Sequence, residues 1–268
     1  MTLLRTAHDV FPLVDELGPS AIGELFVAAA DGARGAVFIE RGRICWAAAH
    51  GLAPRLTQLL VARAAIPPPE MESIFRACKA ERTPLGEHLI RIGILRPEDL
   101  RGALLQHTVE SLGRLCASPA CATWCPRPGN GYSPQFTFTT AELFAFAGGE
   151  RHRGLLEEIG PILQHSFDSG WGAAFVRSEE CAYPEPIAMF GNRISQTKPL
   201  LRMGQWAASV LDVVAAFNDA SALLAVKRES SSSLVAFRHG PAIVVGETGE
   251  HGPARILNRR ARERRREE

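Results

Sequence analysis

The sequence predicts an α+β protein in two domains: an N-terminal mixed domain with a β-hairpin and a helical subdomain, and a C-terminal five-stranded antiparallel sheet flanked by helices. Three observations predict it. The run Thr83–Leu115 carries apolar residues at helical spacing on both sides of a glycine turn. Residues 35–47 alternate in the strand manner around Arg41-Gly42. From Arg153 onward the order reads helix, two strands, helix, three strands, which suits one antiparallel sheet with helices packed on it. At 268 residues the chain has room for two domains of ~100–150 residues each.

In chain order, residues 1–34 read as an N-terminal helix or helix pair. Ala21–Ala30 is apolar and helix-favouring, and Asp31-Gly32 closes it. The hairpin follows. Leu52–Ala64 reads as an amphipathic helix, broken by Pro67-Pro68-Pro69. A further helix over Glu70–Arg82 places Met71, Ile74, Phe75 and Cys78 on one face. In the helical hairpin 83–115, Leu85, Leu89 and Ile92 form the first apolar stripe and Gly93 stops it. Pro97 opens the second helix, with Glu98 and Asp99 at its positive end. Leu100, Ala103, Leu104, Leu112 and Leu115 continue its inward face.

Cys116–Pro134 reads as irregular, Gln135–Thr140 as a strand, and Gly148-Gly149 as the domain boundary. The domains are therefore expected at 1–148 and 149–250, with a charged Arg/Glu tail at 251–268. In the second domain Arg153–Phe167 is a helix, Gly172–Arg177 and Glu185–Phe190 are strands, and Ile194–Phe217 is a long helix. Ser221–Arg228, Ser233–Arg238 and Ala242–Gly246 are the last three strands. The tail holds seven arginines and three glutamates from Arg255 onward. Their spacing favours self-pairing and solvation over a nucleic-acid or membrane anchor.

A net charge of +1 selects no charged partner. Early charges in MTLLRTAHDVF, and no apolar run near the ~18–20 residues that span a bilayer, lead to the expectation of a cytoplasmic protein. Six cysteines are too sparse for a disulfide scaffold. Cys116, Cys121 and Cys125, with His107 nearby, are the only candidates for a metal site. Their spacing lacks any C-x-x-C pair, and packing within a loop is the simpler reading. No zincin motif, nucleophile elbow, phosphate loop or dinucleotide fingerprint occurs. His165-Ser166 beside Asp168 superficially suggests a triad, but neighbours on a helix point in different directions. No catalytic residue and no cofactor is expected.

Two stretches resemble known families. GAVFIERGRICWAA at 35–48, the run LGEHLIRIGILRPEDLRGAL at 85–104, and Phe136 and Phe138 make residues 15–145 similar to a PATAN (PatA N-terminal-like) domain of bacterial signalling proteins. Leu85, Gly86, Leu89, Gly93, Ile94, Leu100, Ala103, Leu104 and Gln106 also resemble half of the MshEN motif, whose family binds cyclic di-GMP through two tandem repeats. The second copy begins at Leu112-Gly113 and then fails. Residues 153–247 resemble roadblock (dynein light-chain-like) domains in element order.

The roadblock resemblance implies a homodimer and binding of a small Ras-like GTPase. The dimer interface would involve Met203, Trp206, Val210 and Val213 of the long helix. The expected function is a non-enzymatic signalling or polarity adaptor. The alternative is a cyclic di-GMP receptor using Leu85, Gly86, Leu89, Gly93 and Gln106.

Overall fold

The computed structural model describes residues 2–52, 55–64, 66–81, 83, 85–129, 131–167, 170–177, 183–191, 193–217, 223–227, 232–249, 253 and 256. The chain divides into two compact units, 1–139 and 140–268. Each holds one five-stranded sheet with every strand pair antiparallel. The α+β, two-domain class read from the sequence is the architecture observed.

The first unit opens with β1 (Thr2–Leu4), α1 (Val10–Leu17), β2 (Ile22–Ala29), β3 (Arg34–Glu40) and β4 (Arg43–Ala49). Helices α2 (Leu56–Ala64), α3 (Pro68–Glu81), α4 (Leu85–Arg91) and α5 (Pro97–Leu115) follow, and β5 (Ala120–Pro126) closes the sheet in the order β1-β5-β2-β3-β4. The β3–β4 hairpin lies where expected. Arg41 and Gly42 take φ of +54° and +68°, the left-handed pair of a two-residue hairpin turn. The α4–α5 hairpin also holds, with Gly93 in its turn at φ +75° and Pro97 at the start of α5.

Three expectations for this unit are corrected. Ala21–Ala30 is not a helix. It is β2, whose Gly23, Leu25 and Val27 point inward while Phe26 and Ala28 point out. Pairing along its length with both β3 and β5 overrides the helix preference of its alanines. Asp31-Gly32 is then the β2–β3 turn, in which Asp31 Oδ1 accepts the Ala33 amide at 2.9 Å. The stretch 116–134 is not wholly irregular, because it contains β5, paired on one side with β1 and on the other with β2. Gln135–Thr140 is not a strand: a 3₁₀ turn spans Pro134–Phe136, and only Phe138 bridges to Ile44.

The second unit runs α6 (Thr140–Arg151), α7 (Arg153–Ser166), β6 (Gly172–Val176), β7 (Glu185–Phe190), α8 (Thr197–Phe217), β8 (Leu223–Lys227), β9 (Ser233–His239) and β10 (Ala242–Thr248). Its sheet order is β7-β6-β10-β9-β8. Strand β10 is buried at every position because both faces are covered. On one face Phe175, Ile243 and Val245 meet Leu200, Ala207 and Leu211 of α8. On the other, Val235, Phe237 and Val244 meet Ile159 and Leu163 of α7, together with Ile256.

The boundary expected at Gly148-Gly149 is also corrected. Both glycines are buried inside α6, and the two units part between Thr139 and Thr140. A Cβ on Gly148 would lie 2.0 Å from the Pro186 carbonyl oxygen, and one on Gly149 2.5 Å from that of Ile187. The glycine pair lets α6 lie directly on the backbone of β7 and is not a linker. Glu185, 8% exposed, fastens the same contact by accepting from Arg151, with His152 Nε2 at 3.2 Å. The Arg/Glu tail lies outside the described residues apart from Pro253 and Ile256.

Candidate functional site

Helix α8 begins with Pro199 in its first turn, where a missing backbone N–H costs little. Its inward stripe of Leu200, Gly204, Ala207, Ala208 and Leu211 uses small residues to lie close to the sheet, and Gly204 sits directly against the Phe175 ring. Of the four positions expected at an interface, Met203 and Trp206 turn partly into their own core. Val210 is half-buried and Val213 is 59% exposed. The most exposed of these four side chains is therefore on a later turn of the helix. Asp212, beside Val213, bonds Arg177 and Arg238 and ties this end of α8 to the sheet. The Arg177 hydrogen bond is the main cause holding its carboxyl below the ordinary value, with both guanidinium charges adding to it.

The two edges of this sheet differ. β7 is overlaid by α6 through the glycine pair. Among the described residues β8 pairs with β9 alone, and Ala225, Val226 and Lys227 are exposed, Val226 to 43%. A strand at the edge of a sheet is a template for another strand. Near β10 a carboxylate supports the fold: Glu247, 5% exposed, accepts from Trp171 Nε1 at 3.2 Å and Ser232 Oγ at 2.6 Å, and pairs with Arg193.

In the first unit the residues of the MshEN-like run have mixed placements. Leu89 is fully buried, and a Cβ on Gly86 would meet Leu100 at 2.6 Å, so these two serve the helix packing. Gly93 makes the turn. Gln106 accepts from Arg63 at 3.2 Å and donates to Glu110 at 2.9 Å. Leu85 and Gly86 line an apolar chamber of about 400 Å³ whose walls include Leu56, Leu60, Leu100 and Leu104. A second, more polar chamber of about 640 Å³ is lined by His50, Arg55 and His107. Trp46, Leu56, Thr57 and Phe75 wall both. Trp46 Nε1 donates to the Tyr132 hydroxyl at 3.2 Å, and its ring stacks on Phe38 with centroids 4.5 Å apart. Burial holds the His107 imidazole below its ordinary value.

Sequence reasoning missed these chambers. It grouped Phe75 and Ile92 with the apolar faces of their helices, and they are 42% and 45% exposed. Strand β5 carries Cys121 and Cys125 on one face, four residues and so ~13 Å apart along an extended chain. Cys116 is buried before the strand begins. The three cysteines therefore do not converge, and among the described residues no group of three His, Cys, Asp or Glu side chains could hold a metal. His165 Nδ1 donates to the Pro161 carbonyl of its own helix at 2.6 Å, and Ser166 is buried; Asp168 lies outside the described residues. Among the described residues no helix is long and apolar enough to cross a membrane. No family model, no characterised protein and no solved structure matches the chain.

Proposed function

We propose that the protein is a non-enzymatic signalling adaptor whose second unit dimerises and docks a regulatory protein of the Ras-like GTPase class. The supporting observation is a pair of exposed apolar surfaces on that unit among the described residues: the β8 edge with Val226, and the outer turns of α8 with Val210 and Val213. Both are built on a sheet packed on two faces, a rigid base for docking. The element order from α7 to β10 is the one on which the roadblock resemblance rests. In a two-fold dimer the same strand meets itself, so antiparallel pairing of two β8 edges would satisfy both rows of backbone groups.

The GTPase arm is tested by capture from lysate on the full chain, with a non-hydrolysable GTP analogue or GDP added. Recovery of a Ras-like GTPase whose yield depends on the nucleotide supports the reading. Equal recovery on the wild type and on a Val213→Glu, Val226→Glu double variant argues against these surfaces.

A further inference from the structure

The two chambers of the first unit adjoin, sharing Trp46, Leu56, Thr57 and Phe75 as walls. The inner chamber is almost wholly apolar, with a volume inside the ~300–1,000 Å³ of ordinary small-molecule sites. Glu87, on the exposed side of α4, is the one acidic residue among those lining it. The outer chamber has the opposite electrostatics. Arg55 and His50 line it, and none of its described lining residues is acidic. The Arg55 guanidinium has no carboxylate partner among the described residues; its backbone amide donates to Gln58 Oε1 at 2.7 Å, and its carbonyl accepts from the Gln58 and Leu59 amides. Glu110, whose charge reaches His107, is bonded to Gln106 and does not line the chamber. Phe75 stands where the chambers meet and leaves 42% of its surface in water. An occupant reaching from one chamber to the other would cover it.

We propose that this space binds a small amphipathic anion, a free monoacyl carboxylate of medium chain length. The acyl body lies among Leu56, Leu60, Leu85, Leu100 and Leu104. The carboxylate faces Arg55 and His50, and Glu87, which lines the apolar chamber, disfavours the reverse orientation. Binding here needs neither dimerisation nor a GTPase, so it stands whatever becomes of the docking role.

The test titrates the full chain with decanoate, with decanol, and with phosphatidylglycerol vesicles, by calorimetry and by the shift in melting temperature. Decanoate should saturate at one per chain, more tightly than decanol. Arg55→Gln, on an exposed side chain, should weaken decanoate about 10–100-fold, the worth of one charge-assisted hydrogen bond. It should leave decanol unchanged. Leu104→Trp, which fills the inner chamber, should abolish both. The proposal is overturned by decanoate that fails to saturate up to millimolar concentration. It is equally overturned if Arg55→Gln binds decanoate as the wild type does, or if only the vesicles bind.

Discussion

Replacing Gly148 with alanine should destabilise the second unit, although helix propensity alone points the other way. In an open helix interior, glycine to alanine gains about 1 kcal/mol. At Gly148 the new Cβ would start 2.0 Å from the Pro186 carbonyl oxygen, where real Cβ contacts stay beyond 3.0 Å. The obstacle is backbone, so α6 must retreat from β7 and loosen the Arg151 and His152 contacts with Glu185. Overpacking of this kind costs ~1–3 kcal/mol, and the upper part of that range applies when nothing flexible can yield. After the propensity gain, the net loss is about 1–2 kcal/mol, or roughly 3–8 °C in Tm for a unit of this size. Gly160→Ala in α7 is the internal control, because a Cβ there meets nothing within 4 Å. It should raise stability by about 1 kcal/mol. Urea and thermal unfolding of the full chain, followed through Trp171 and Trp206, would measure both. A Gly148→Ala protein as stable as the wild type would refute the claim that this glycine seats α6 on the sheet.

Other outcomes follow from the same packing. Glu247→Ala removes a buried acceptor of three donors and should cost about 2–4 kcal/mol by urea unfolding, with Trp171 fluorescence shifting as its indole loses a partner. Asp212 is held below its ordinary value in the folded chain, so there it binds fewer protons than when unfolded. Its contribution is complete above the unfolded value near ~4 and disappears as pH falls through the lowered folded value. Because the pair is solvent-exposed, Asp212→Asn at pH 7 should cost no more than about 1 kcal/mol and flatten the acid limb of the stability profile. Burial pushes the Cys45 thiol up to about 12 and the Cys116 thiol up to about 11, whereas Cys121 and Cys125 are half-exposed. In a Cys181→Ser background, a thiol reagent at pH 8 should label Cys121 and Cys125 first, with Cys45 and Cys116 reacting only on unfolding. Peptide mapping by mass spectrometry reads the order.

The second unit was largely legible in the sequence because its central strands β6 and β10 are buried on both faces. Runs such as Ala242–Gly246 are continuous and apolar, and α7 and α8 are long enough for their periodicity to be counted. The β3–β4 hairpin was legible for a local reason, the left-handed turn at Arg41-Gly42. β2 and β5 were not, since an alanine-rich strand and a Pro/Cys-rich strand reveal themselves only through partners distant in sequence. Gly148-Gly149 misled because a glycine pair marks both linkers and close helix–sheet contacts, and only the position of Pro186 decides between them. Met203, Trp206, Val210 and Val213 entered as positions implied by the roadblock resemblance, which did not foresee that Met203 and Trp206 turn partly into their own core while Val213 stays exposed. The chambers were invisible, because their walls come from β4, from α2 to α5 and from the loop at Tyr132 and Phe136.

The most direct measurement of the docking account is the mass of the full chain in solution by multi-angle light scattering over a range of concentrations. The account predicts twice the chain mass, and conversion to the single-chain mass on Val213→Glu. If Val213 is buried once by each copy, about 1.5 kcal/mol is lost at each, or about 3 kcal/mol in all. That is a weakening of more than a hundredfold before the cost of burying the glutamate charge. A wild-type chain that stays at the single-chain mass at the highest concentration, or a Val213→Glu chain that remains paired, would contradict it.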